Sequence, residues 1–139
     1  MQETISLMVV DQDPLTLAKV TEAMKEYDSE VTACSSLKAM LDALCQNWVV
    51  DVIIINLERP FEPAFDLLPQ IKARSDHSEI VFISRFADES LWVEAIQCGA
   101  YDLLPRHVDT SELKRILLQA VEKHRPMMLR KARFLTKGQ

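Results

Sequence analysis

Four short apolar runs, each released into polar residues at its carboxyl end, constrain this 139-residue chain more than any other feature. Val52 to Ile55 is an unbroken β-branched stretch, too short for a helix and without polar alternation, which is the pattern of a strand covered on both faces. It ends in Asn56-Leu57-Glu58. Leu7 to Val10 ends in Asp11-Gln12-Asp13, Ile80 to Ile83 in Ser84-Arg85, and Tyr101 to Leu104 in Pro105-Arg106-His107. Helix-period segments separate the runs. The pattern therefore predicts a parallel α/β sheet whose carboxyl edge gathers these polar side chains along one crevice. Chemistry is expected at that edge.

The segments between the runs carry helix starts. Asp13-Pro14 opens a helix with Leu17, Val20, Ala23 and Met24 on one face. Glu30 to Cys34 reads as a more polar edge strand, and Ser35-Ser36 as the cap of a helix burying Leu37, Met40, Leu41 and Leu44. A third helix follows Pro60 and Pro63 and includes Phe65, Leu67, Leu68 and Ile71, with Pro69 expected near its first turn, where a missing N–H is tolerated. Asp88 caps a fourth helix ended by Gly99, and Asp109 opens a fifth with Leu113, Ile116, Leu117, Ala120 and Val121 as its apolar stripe.

Composition excludes several classes. Only two glycines are present, so no Gly-rich loop cradles a phosphate and a dinucleotide or P-loop site is rejected. No apolar run reaches the length of a membrane span, and MQETISLMVVDQD lacks a basic leader, so a cytoplasmic protein with one core is expected. Cys34, Cys45 and Cys98 are isolated and expected reduced, Cys34 and Cys98 as small buried hydrophobes. His77, His107 and His124 are scattered and read as surface residues.

The four motifs VVDQDP, DVIIINLERP, FISRFAD and GAYDLLPRHVD, in this order and spacing, resemble the receiver domain of two-component response regulators, over residues 4–125. The resemblance implies a flavodoxin-like three-layer α/β sandwich, with a five-stranded parallel sheet in the order 2-1-3-4-5 and five helices. It places Asp11 and Gln12 on the family's acidic pair and Asn56 on the aspartate that accepts phosphate. Glu58 falls where a main-chain carbonyl helps bind magnesium, Ser84 on the hydroxyl that follows the phosphoryl group, and Arg106 on the lysine that pairs with it. His107 stands at the family's proline, so the Arg106–His107 bond is expected trans. Leu103 takes the place of a switching aromatic, and Tyr101, two residues earlier, is expected on the same strand face.

These departures alter the chemistry. An amide offers neither a nucleophilic oxygen nor a negative charge for phosphoryl transfer. Gln12 and Asn56 remove two carboxylates that a hard divalent cation prefers, leaving Asp11 and Glu58 as weak metal candidates, so magnesium is expected to bind weakly or not at all and no cofactor is expected. Arg106 either pairs with Asp11 and closes the pocket, or lies on the surface with its stem packed.

The expectation is a degenerate, phosphorylation-independent receiver-like module of a phosphorelay, without catalytic turnover, which acts by protein–protein contact with a partner or its own output domain. Trp92 and Leu103 form the candidate interaction face. The family implies a candidate homodimer through the fourth helix, fifth strand and fifth helix; for Trp92 the alternative is packing beneath its helix. A second reading is a phosphorylatable receiver in which Asn56 replaces a natural aspartate, or in which Asp13 or Glu58 supplies the acceptor. All 21 acidic residues lie at or before Glu122, whereas six of the 16 basic residues follow it. Residues 126–139 therefore read as a basic linker or solvated tail, with a helix contacting nucleic acid or an acidic partner as the third reading.

Overall fold

In the computed structural model, strands β1 (Ile5–Val10), β2 (Ser29–Cys34), β3 (Val52–Asn56), β4 (Glu79–Ser84) and β5 (Asp102–Pro105) alternate with helices α1 (Pro14–Ala23), α2 (Leu37–Cys45), α3 (Glu62–Arg74), α4 (Glu89–Gln97) and α5 (Thr110–Glu122). The structure describes residues 4–46 and 49–124, so the basic segment 126–139 lies outside the described residues. All four strand pairings are parallel, in the order β2-β1-β3-β4-β5, as the sequence pattern and resemblance led us to expect. No helix among the described residues is long and apolar enough to cross a membrane.

Period-two side-chain alternation divides the core into two layers. Leu7, Val9, Val52, Ile54, Val81, Ile83 and Leu104 pack with Val20 and Ala23 of α1 and Leu113, Ile116 and Leu117 of α5. Met8, Val10, Ile53, Ile55, Phe82 and Leu103 face the other way, onto Met40 and Leu44 of α2, Phe65, Leu68 and Ile71 of α3, and Leu91 and Ala95 of α4. Every residue of Val52–Ile55 is buried for this reason, and each large aliphatic side chain so placed contributes about 1.5–3 kcal/mol relative to exposure. One core thus has two faces, and the strand ends between them are left to polar residues.

Four helices start on side-chain caps. Asp13 accepts from Leu15 N, Ser36 from Ala39 N, Asp88 from Leu91 N and Asp109 from Glu112 N, each satisfying an otherwise unpaired first-turn donor. The chain leaves α4 through Gly99 at φ +109°, a left-handed conformation that glycine adopts without strain.

Several local expectations are corrected. Pro63 is in the first turn of α3 rather than ahead of it, and Pro69 lies in the helix interior, exposed, on a helix that continues to Arg74. Burial of Phe65, Leu68 and Ile71 holds the helix together across the missing N–H. β5 begins at Asp102, so Tyr101 precedes the strand and does not follow its alternation. Tyr101 packs on the α5 side, whereas Leu103 packs on the α4 side. Cys34 is buried as expected, but Cys98 is exposed because it is the C-cap of α4, at the rim of the fold.

Candidate functional site

The carboxyl ends of β1, β3 and β5 converge on a cavity of about 670 Å³ lined by Asp11, Gln12, Asp13, Asn56, Glu58, Arg85 and Arg106, with Ser35, Ser36, Val10 and Leu37 completing the wall. β1 and β3 are paired neighbours with Val10 opposite Ile55, which sets residues 11 and 56 side by side, and the end of β5, beyond β4, brings residue 106 across to them. The sheet does what the four polar strand ends required.

Arg106 is the centre of this arrangement. Its Nη1 donates to Asn56 Oδ1 at 3.0 Å and lies 3.5 Å from Asp11 Oδ2, while its Nη2 donates to Asp13 Oδ2 at 2.5 Å. The paired alternative is therefore the observed one: the guanidinium is turned into the cavity, its side chain 25% exposed, and its shortest carboxylate contact is Asp13 rather than Asp11. Its backbone is pinned on both sides, since Arg106 N donates to Ser84 O at 3.2 Å and Lys19 Nζ of α1 donates to Arg106 O at 2.6 Å. The Arg106–His107 bond is trans.

The other members are also engaged. The Asp11 carboxylate side chain is almost fully buried; Oδ1 accepts from Asp13 N at 3.0 Å and Oδ2 from the Thr16 hydroxyl at 2.5 Å. Asn56 Nδ2 donates to Glu58 Oε2 at 3.1 Å, and Glu58 Oε1 pairs with Arg85 Nη2 at 3.2 Å. The Asn56 amide is thus held at both ends. On the rim, the Arg59 guanidinium lies 4.3 Å and that of Arg85 4.9 Å from the centroid of the Phe86 ring, the geometry of cation–π stacking.

Two sequence-derived members do not face this cavity. Ser84 is fully buried; its hydroxyl donates to Leu57 O at 2.7 Å and accepts from Phe86 N at 3.0 Å, so it closes the seam where β3 and β4 end. Leu103, placed on the candidate interaction face, is 5% exposed and belongs to the core with Leu91 and Ala95, because its period on β5 turns it inward. Trp92 is 44% exposed beside Val93, and its indole is tied to Asp102. Thr16 and Lys19 are members of the site that sequence reasoning did not name, whereas Asp13, expected there as a displaced acceptor, is the nearest carboxylate to Arg106. Their signal was available: Thr16 and Lys19 follow the cap residue Asp13 at intervals of three, which sets all three along one side of the start of α1.

The donor set does not fit a magnesium ion. Magnesium requires anionic or water oxygens at about 2.0–2.1 Å in octahedral array, whereas Gln12 and Asn56 are neutral, both Asp11 oxygens already accept hydrogen bonds, and a guanidinium sits among the acceptors. Among the described residues, no three His, Cys, Asp or Glu side chains are grouped to hold a metal.

The family model of the response regulator receiver domain matches residues 7–118, and the chain belongs to that family. It is 28% identical over 132 residues to a DNA-binding transcriptional regulator NtrC of Rhizobium meliloti (strain 1021), covering 89% of this chain and 26% of the relative. It is 24% identical over 135 residues to the two-component response regulator-like APRR1 of Arabidopsis thaliana, covering 95% of this chain and 22% of the relative. The chain thus spans about a quarter of the length of these relatives. A crystal structure of a response regulator from Thermotoga maritima superposes with TM-score 0.78 at 17% identity, covering 86% of this chain and 99% of that one. That likeness establishes a shared fold.

Proposed function

We propose that this receiver domain is a degenerate form that transmits a two-component or phosphorelay signal without being phosphorylated, and that it works by protein–protein contact rather than by catalytic turnover. The observation that carries the reading is Asn56. The residue at the phosphoacceptor position is an amide, and both ends of that amide are engaged, by Arg106 and by Glu58. An amide has no oxygen nucleophile of the kind phosphoryl transfer requires, and the cation that would neutralise the transferring phosphoryl group lacks a suitable donor set.

The same geometry disfavours a displaced acceptor. Asp13 Oδ2 is held by Arg106 and Glu58 by Asn56 and Arg85, so each carboxylate is already paired. Trp92 and Val93 of α4 offer an exposed apolar surface, and Trp combines large contact area with low entropy cost, which supports this face as the contact with a partner, an output domain or a second copy. Contact with nucleic acid would come through an output domain or residues 126–139, and the proposed setting is the cytoplasm.

Intact-mass measurement after incubation with a small phosphodonor and magnesium tests the reading. The mass is expected to stay unchanged. Gain of one phosphoryl group, mapped to Asp13 or Glu58, overturns it.

A further inference from the structure

The geometry points to a built-in counter-ion: the Arg106 guanidinium takes the place of the divalent cation in this cavity, and the site is closed to magnesium because this chain already supplies the charge. Three carboxylates, Asp11, Asp13 and Glu58, border the cavity, so their like charges call for a cation between them. Arg85 serves Glu58. Arg106 serves the other two, with Nη1 reaching Asp11 Oδ2 and Asn56 Oδ1, and Nη2 reaching Asp13 Oδ2.

Competition between a metal and this guanidinium is decided by geometry. A guanidinium is planar, permanently charged and suited to oxygens at about 2.7–3.2 Å, whereas magnesium must strip water and draw its ligands much closer. Asp11 is fixed by Thr16 and by Asp13 N, which restrains it from closing on a small ion. Arg106 is preorganised by the Ser84 carbonyl and by Lys19. A metal would have to displace a cation that is covalently attached and anchored at its backbone on both sides. The pocket therefore keeps one electrostatic state whatever the magnesium concentration, a property separate from whether any residue is phosphorylated.

Removing the guanidinium should open the site. In Arg106→Ala and Arg106→Gln, Asp11 and Asp13 face each other without their cation, and a divalent ion should bind about tenfold or more tighter than to the unaltered protein, because ligand charge now lacks compensation. The probes are manganese, followed by paramagnetic broadening of the Asp11, Asp13 and Asn56 amide resonances, and magnesium, followed by its effect on the melting temperature. We expect no response from the unaltered chain at millimolar metal, and both broadening and a magnesium-dependent rise in melting temperature in the variants. Broadening in the unaltered chain overturns the inference by itself, even if neither variant folds. Variants that fold yet stay silent toward both metals overturn it as well. A phosphoryl group found by intact mass would contradict the proposed function and leave this result standing.

Discussion

The Trp92 indole is fastened to the sheet edge by Asp102: Nε1 donates to Asp102 Oδ1 at 2.9 Å, and the same oxygen accepts from Leu103 N at 2.8 Å. One carboxylate oxygen therefore fixes an exposed aromatic on α4 relative to β5. The neighbouring Leu103 side chain points the other way, into the core. The two residues of the expected interaction face thus have different roles. Trp92→Ala should change unfolding free energy by no more than about 1 kcal/mol, since nearly half of the side chain is already in water. Leu103→Ala should cost about 2–5 kcal/mol through the cavity it leaves. Urea denaturation of both variants checks the contrast, and equal losses would return Leu103 to the surface.

At the opposite end of the sheet, Glu79 is a buried carboxylate at the start of β4. His124 Nε2 lies 2.5 Å from its Oε2, Lys123 Nζ 3.4 Å from the same oxygen and Lys72 Nζ 3.6 Å from Oε1. The three basic partners are half-exposed and regain water when the carboxylate is lost, which limits the penalty. Glu79→Gln should destabilise by about 1–3 kcal/mol. A double-mutant cycle with His124→Ala should show that much of this is coupling between those two positions. Additive losses would mean the close approach contributes nothing.

On the proposed reading, an aspartate at position 56 alone should not confer phosphorylation. Asn56→Asp places a new carboxylate 3.0 Å from the Arg106 guanidinium, which would pair with it in preference to releasing it for in-line attack. With phosphodonor and magnesium, this single variant is expected to remain unmodified by intact mass. The combination of Gln12→Asp, Asn56→Asp and Arg106→Lys is expected to gain one phosphoryl group, because it restores carboxylates for the metal and a mobile point charge. Full modification of the single variant would show that Arg106 is no obstacle.

Burial pushes the Cys34 thiol above its ordinary value of 9.0. Cys98, although exposed, is pushed the same way by partial desolvation and then by Glu94 and Asp66, and Tyr101 by burial and then by Asp102 and Glu79. The unfolded chain therefore releases these protons at lower pH than the folded one. Stability is intact below the unfolded values and declines as pH rises through the range above about 9. Melting temperatures recorded across that range should fall, and Cys34→Ala should flatten the alkaline decline. An unchanged slope would assign the loss to other groups. Timed alkylation should modify exposed Cys45 well before Cys34.

Much of this architecture was legible because it rests on local rules. β-branched runs such as Val52–Ile55 announce buried strands, Asp13, Ser36, Asp88 and Asp109 announce helix starts, and polar residues released at strand ends announce the edge where a site forms. That an amide, Asn56, stands at the end of β3 is likewise a fact of the sequence. Boundaries are less local: the preference of proline for a first turn places Pro69 near a helix start, but it lies inside α3, since long-range packing of Phe65, Leu68 and Ile71 outweighs one missing hydrogen bond.

What the sequence determined by itself was the sheet, its polar edge and the chemical identity of the groups there, because periodicity and residue type are properties of neighbours in the chain. Only tertiary structure decided where Arg106 points, that Asp13 is its nearest carboxylate, that Thr16 and Lys19 brace the site, and that Ser84 and Leu103 are sealed inside. Those relationships join residues as many as 93 positions apart. Their distances depend on how α1 packs against the sheet and how β5 lies beside β4, and no local preference encodes that packing.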